Sequence, residues 1–291
     1  MPLSIDRTRY LCTSKPGDWS NVLNTSLGFL RDSWSEQTGG KHTTKWIGIP
    51  QVLEVCISLV LTPSLGSQRI CNLIKCARMV AVSLELHALK YPEPKYHNRL
   101  HFCDALTGIC VLLLIEKERT SALDEYWVAL LLLVVVSHDY MHPGGQNSKA
   151  MEIEIQTLNE LKNIWSVHPI DTRSQEYVTY IIQKSDPRYV RDNHKLVATT
   201  PFAWSVFWAT VLLNEADILA SCTTKYGAHL GEQLLCEWQL NRVRGTLLRG
   251  AKEIRRNFLK SAMFSSPASQ ILQIHIDISV QLQVSKSSHN F

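Results

Sequence analysis

The chain has no apolar run long enough to cross a bilayer. Its most apolar, Val128 to Val136, is nine residues, against the roughly 20 that a spanning helix needs, so it reads as a helix buried on all sides. The opening stretch MPLSIDRTRYLCTSKPGDWS carries charges where a secretory signal has an apolar core, so no signal is expected. Concentrated Lys and Arg are also missing. The net charge is only +4, which gives little ground for nucleic-acid binding. The eight cysteines lack the dense spacing of a secreted disulfide scaffold. Several fall on apolar faces and read as small core residues, and a reducing, cytoplasmic compartment is the expectation. Alternating strand patterns and Asn-Gly hairpin signals are absent as well.

What is present is helix. Hydrophobic residues make up 45% of the chain and charged residues 19%, which suits a sizeable packed core. A short apolar helix is expected within Thr44 to Gly66, after Pro50, and a longer one over SQRICNLIKCARMVAVSLELHALK, ended by the prolines of YPEP. Arg99 to Lys117 has apolar positions at helical spacing. Ser121, with Asp124 three residues on, predicts an N-cap for the apolar helix that follows. Further helices are expected over Lys149 to Ile164, Ser174 to Lys184, Phe202 to Cys222, Gly227 to Arg249, Ala251 to Ala262 and Ala268 to Val280. The fold class is therefore all-α and compact. No long Pro/Gly/Ser linker divides it, so one domain over residues 46–284 is expected, after a helical or irregular arm (1–45) and before a frayed tail (285–291).

Three polar clusters interrupt this apolar pattern. KYHNRLHFCDALTG brings His97 and His101 four positions apart with Asp104 beyond. On one helix these would share a side, as ligands of one cavity or as a polar patch on a surface helix. SHDYMHPGGQN places His138, Asp139 and His142 directly after the most apolar helix. An imidazole and a carboxylate there cost several kcal/mol unless paired or ligated. LLNEADILAS sets Asp217 among apolar neighbours, while Glu215 is free to turn outward. A lone His or Asp of this kind is ordinarily a satisfied core residue or an ion-pair member. Taken together, a mixed N/O donor set with one shareable carboxylate is what a two-metal hydrolytic centre requires.

In order and spacing, YHNRLH, HDYMHPGGQN and ADI resemble the catalytic domain of class I cyclic nucleotide phosphodiesterases, within the HD-domain metal-dependent phosphohydrolases, over about residues 50 to 280. The resemblance implies that His101, His138, Asp139 and Asp217 hold a Zn²⁺ ion, with Asp139 bridging to a Mg²⁺ or Mn²⁺ ion. It implies that His142 hydrogen-bonds the water on that ion, that His97 is the general acid, and that Tyr96 and Asn98 support His97 or line the site. Metal-bound hydroxide would then open a 3′,5′-cyclic nucleotide, cAMP or cGMP, to a 5′-monophosphate. Physical chemistry agrees. An anionic diester needs its charge neutralised before hydroxide can approach. A leaving alkoxide needs a proton, and a histidine with an ordinary pKa near 6.5 can supply it.

The nucleotide pocket matches less closely. The family has a glutamine against the purine edge and an aromatic three residues later. Gln270 or Gln273 in SPASQILQIHID can stand for the glutamine, with Gln273 or Ile276 where the aromatic belongs, and Phe264 is another wall. An exposed glutamine on a last helix is the alternative. Leu219 and Ala220 stand where the family has a serine and an asparagine, so base preference stays open. Glu152 and Glu154 are candidates for the family's supporting acid, and Trp238 reads as core. His87, His168, His194, His229 and His275 have no ligand-like partners at helical spacing and read as structural or exposed. The expected partner is a small cyclic nucleotide, with no nucleic acid and no membrane, and oligomeric state is left open. Two other functions remain: an HD-type phosphohydrolase acting on another phosphoester, and a catalytically silent cyclic nucleotide sensor.

Overall fold

The computed structural model describes residue 11 and residues 17–38, 46–62, 67–241 and 250–287. Among these residues every regular element is a helix. In chain order they are α1 (Trp19–Thr38), α2 (Ile49–Val60), α3 (Gln68–Ala88), α4 (Arg99–Thr120), α5 (Glu125–Ser137), α6 (Glu152–Val167) and α7 (Thr172–Gln183). Then come α8 (Pro187–Val197), α9 (Val206–Cys222), α10 (Gly227–Leu240), α11 (Ala251–Ser261), α12 (Pro267–Leu272) and α13 (Ile274–Ser287). No helix of the described residues is long and apolar enough to cross a membrane.

α4 is the axis. Every residue from Arg99 to Leu113 is buried, polar ones included, because α1, α2, α5, α9 and α12 all lie against it. α5 is buried from Val128 to Ser137. A helix that is apolar all round has no wet face to offer and belongs in the centre. α4 and α9 approach closely at Gly108. A Cβ there would lie 3.0 Å from the Ala216 carbonyl oxygen and 3.4 Å from a Leu219 methyl. That approach sets the spacing between His101 on α4 and Asp217 on α9.

Local signals placed several boundaries differently from the sequence expectation. The cap of α5 is Asp124, whose carboxylate accepts from the Tyr126 and Trp127 amides, whereas Ser121 closes α4 in the left-handed region at φ 61°. Asp is as good a cap as Ser, and the chain must turn before it can restart. The single helix expected over Ala268 to Val280 is two, α12 and α13, broken where Gln273 adopts φ 59°. α8 forms where no helix was expected, started by the Asp186 carboxylate on the Arg188 amide and by Pro187 in its first turn. In the expected arm, α1 packs on α4 and its Arg31 holds Asp104 through two bonds of 2.9 and 2.8 Å. Expectations over 1–10, 12–16, 39–45, 63–66, 242–249 and 288–291 lie outside the described residues.

His194 on α8 is 1% exposed, with Nδ1 2.7 Å from the Ser265 hydroxyl. Its Nε2 is buried without a hydrogen-bond partner, and burial lowers its pKa to about 4. Folding therefore holds this ring neutral, whereas the unfolded chain protonates it below about pH 6.5. The stability it contributes is complete above that value and is lost as pH falls toward 4. We expect urea titrations to lose about 2 kcal/mol between pH 7 and pH 5 on this account, and His194→Gln to flatten that slope. Gly108→Ala should cost about 1–3 kcal/mol in the same titrations, because backbone rather than a flexible side chain stands in the way.

Candidate metal centre

Three helices deliver one donor cluster. His101 lies in the first turn of α4, after Asn98, whose side-chain oxygen caps the Leu100 and His101 amides. His138 and Asp139 follow the end of α5, and Asp217 sits in α9. One donor atom from each of these four lies within 4.8 Å of every other. His101 Nε2 is 3.2 Å from Asp139 Oδ2 and 3.1 Å from Asp217 Oδ1. His138 Nε2 is 3.2 and 3.3 Å from the same two atoms.

The hydrogen bonding shows what such a cluster needs. His138 Nδ1 donates to the Val135 carbonyl at 2.8 Å, so in the neutral ring Nε2 carries a bare lone pair aimed at two carboxylate oxygens. His101 Nε2 is buried without a well-aligned hydrogen-bond partner, although the two carboxylate oxygens stand this close. Electron-rich atoms facing one another at this range repel unless a cation sits among them. Neighbouring ligands each about 2.1 Å from a common ion lie ~3 Å apart, close to the separations found here. Two imidazoles and two carboxylates are a donor set suited to zinc and to harder divalent ions, so the residues fit a metal. The same field acts on protons. Burial opposes charging His101, yet Asp139 and Asp217 together raise its pKa to about 9. Burial also opposes ionising Asp139, but His138 and its neighbours hold that carboxylate well below the usual range.

Beside this cluster His97, His142 and Glu237 form another. The expectation that His97 and His101 share a helix face is corrected: α4 begins at Arg99, and His97 precedes its cap. The two rings still stand 5.4 Å apart. Glu237, 1% exposed on α10, holds this segment in place. Its Oε2 accepts from the Tyr96 and His97 amides at 2.7 and 3.0 Å, and its Oε1 accepts from His97 Nδ1 at 2.5 Å. Arg99 ties the same segment to α3 by bonding Glu93 and Glu85. His97 Nε2 is then directed toward Asp139 Oδ2, 3.8 Å away. His142 stacks on His97 with centroids 3.8 Å apart, and its Nδ1 accepts from the Gly144 amide at 2.9 Å. Burial and the adjacent His97 lower the His142 pKa to about 3. Gly144, at φ 80°, is also held by Asn241, whose amide donates to its carbonyl.

Other nominated residues are placed elsewhere. Asp104 pairs with Arg31 and takes no part in the cluster. Glu215 turns inward, not outward. It is buried and accepts from the Ser265 and Ser266 amides and the Ser266 hydroxyl at 2.5 to 2.7 Å, and burial raises its pKa to about 7. Glu154 accepts from Asn147, and exposed Glu152 from Ser148. Tyr96 is buried, with its hydroxyl on Ser221. Gln270 is exposed and donates its amide to the Phe264 carbonyl, and Gln273 is exposed at the helix break. A cavity of about 430 Å³ opens beside the cluster, lined by His97, Asp139, His142 and Glu237 and walled by α3, residues 92–99 and Leu240. Tyr96, Phe264, Gln270 and Gln273 do not line it. His87, read as structural or exposed, does. Glu237 is the site residue the sequence reading passed over. A carboxylate inside the apolar stretch LLCEWQL was its one signal.

The backbone as a whole matches a solved structure, "Structure of LmjPDEB1 in complex with IBMX", at TM-score 0.57. The match covers 99% of this chain and 96% of that one, at 12% sequence identity. The fold is phosphodiesterase-like. No protein-family model and no curated protein matches the sequence, so the likeness rests on backbone shape.

If the four donors hold an ion, dialysis against Zn²⁺ or Mn²⁺ followed by elemental analysis will find metal in the wild type and little in Asp139→Ala. Full retention in that variant would refute the ligand set.

Proposed function

We propose that the chain is a metal-dependent 3′,5′-cyclic nucleotide phosphodiesterase releasing 5′-nucleoside monophosphates. The observation that carries this reading is the pairing of two clusters: a buried donor set fit for a cation, and a histidine braced by a buried carboxylate 3.8 Å from it. His101, His138, Asp139 and Asp217 would hold the tighter ion, Zn²⁺ on the family resemblance, with Asp139 shared toward a Mg²⁺ or Mn²⁺ ion. Bound there, divalent ions neutralise the diester's charge and acidify water enough to provide a nucleophile near neutral pH.

This chain's own residues supply the proton. His97 Nδ1 donates to Glu237, so the ring's other nitrogen, Nε2, is the one that faces the reacting ester. In the charged ring Nε2 carries the proton that the departing 3′ oxygen requires, and the Glu237 carboxylate balances the charge from behind. Burial and the adjacent His97 keep His142 neutral beside it, with its Nδ1 accepting from the Gly144 amide. Its stacked ring thus fixes the His97 plane without adding a second positive charge.

Hydrolysis of a different phosphoester is a second reading. It is favoured by Gln270, whose amide is bonded to its own loop and whose side chain is exposed. Incubating purified, metal-loaded protein with cAMP, cGMP and a panel of noncyclic phosphoesters separates the two. Turnover confined to noncyclic esters would overturn the first. His97→Ala should keep its metal and lose about 10²–10⁴-fold in turnover of cyclic nucleotides, with a much smaller loss on a nitrophenyl diester, whose leaving group needs no proton. Equal losses on both would remove His97 from the acid's role.

A further inference from the structure

α3 packs against α2, α5 and α6 and leaves one side to solvent. That side carries Met79, Val82 and Leu86, and Leu89 follows at the C-cap. Spacings of three and four residues set these side chains in one row. A surface helix ordinarily turns such a row inward. Here exposure rises along the row, from 38% at Met79 to 75% at Leu89, and Tyr91 just beyond is 56% exposed. The row therefore stands out from the surface toward its end instead of lining a groove. The Tyr91 ring lies 4.6 Å from that of His87, and Pro92 and Pro94 stiffen the chain that follows.

The free charges around this row have one sign. Residues 75–95 carry Lys75, Arg78, Lys90 and Lys95 against Glu85 and Glu93. Arg99 holds both acids, Glu85 at 2.7 Å and Glu93 at 2.9 Å, and Arg78 is held by Glu54. Lys75, Lys90 and Lys95 are exposed and form no ion pair among the described residues. Protruding apolar side chains flanked by unpaired lysines are complementary to a surface that is apolar beneath and anionic above.

We propose that this face of α3, from Lys75 to Tyr91, docks on a lipid surface bearing anionic headgroups, in place of the membrane-free set of partners expected from the sequence. The leucines and the Tyr91 ring enter the boundary between headgroups and acyl chains, and the lysines meet the phosphates. Amphipathic helices bind bilayers in this way without crossing them. A second copy of this chain is the poorer occupant. Two such rows laid parallel bring Lys75 to Lys75 and Lys90 to Lys90, and laid antiparallel they bring Lys75 to Lys90, so like charges meet either way. The docked face adjoins the cavity, because His87, Ala88, Pro92 and Lys95 line it. The assignment stands apart from the phosphodiesterase reading, since neither the metal donors nor His97 takes part.

The test is co-sedimentation of the full chain with vesicles of phosphatidylcholine alone and of phosphatidylcholine mixed with phosphatidylserine. Wild-type protein should bind the mixed vesicles at least about tenfold more tightly than the neutral ones, and added salt should release it. Leu86→Ser with Leu89→Ser, and separately Lys75→Glu with Lys90→Glu, should each weaken that binding about tenfold or more. All four positions are exposed, so melting temperatures should stay close to that of the wild type. Binding that survives both pairs of substitutions overturns the proposal, as does equal affinity for the two vesicle types or none for either. Light scattering tests the other occupant: a wild-type dimer that the leucine pair converts to monomer would make this face a contact between copies and overturn lipid docking.

Discussion

Buried lone pairs need a positive charge among them, and that requirement organises the centre of this molecule. His138 gives its Nδ1 proton to the Val135 carbonyl, so in the neutral ring Nε2 is an acceptor facing Asp139 and Asp217 just over 3 Å away, and those carboxylates raise its pKa against the burial that opposes charging it. Leaving such a set unbalanced in an apolar interior costs several kcal/mol per group. Protons can partly answer it, as the raised pKa of His101 shows, but a divalent ion answers it with four ligands at once. An ion held there would couple metal binding to the local order of three helices.

The apolar helices around the cluster do more than fill volume. α4 and α5 are buried on every side, so neither can shift without opening core. The Gly108 contact brings α9 as close to α4 as backbone permits. Ligands mounted on such elements hold their separations better than ligands on loops, which is what a centre that must bind an ion and spare a position for substrate needs.

The His97 side is built differently. His97 lies outside the helix, in a segment with no regular hydrogen bonding of its own, and long-range bonds hold it: Glu237 from α10, Arg99 through Glu93 and Glu85, and the stacked His142. A residue mounted in this way can be directed at a reacting atom without being counted among the metal ligands. The backbone likeness to a phosphodiesterase structure at 12% identity is consistent with a shared frame. The detail of the cavity walls belongs to this chain.

Local chemistry was legible in the sequence. The apolar periodicity announced most helices, and the spacing of His101, the His138–Asp139 pair and Asp217 marked side chains that meet on three helices. These features depend on neighbours within a turn or two. Tertiary structure decided what depends on distant partners: Glu237, 140 positions from His97, as its hydrogen-bond partner, Asp104 drawn off by Arg31, and Glu215 turned inward onto Ser265 and Ser266. It also decided that Gln270 spends its amide on the Phe264 carbonyl. A carboxylate's partner is chosen by which helix packs beside it, and no periodicity within its own helix records that choice.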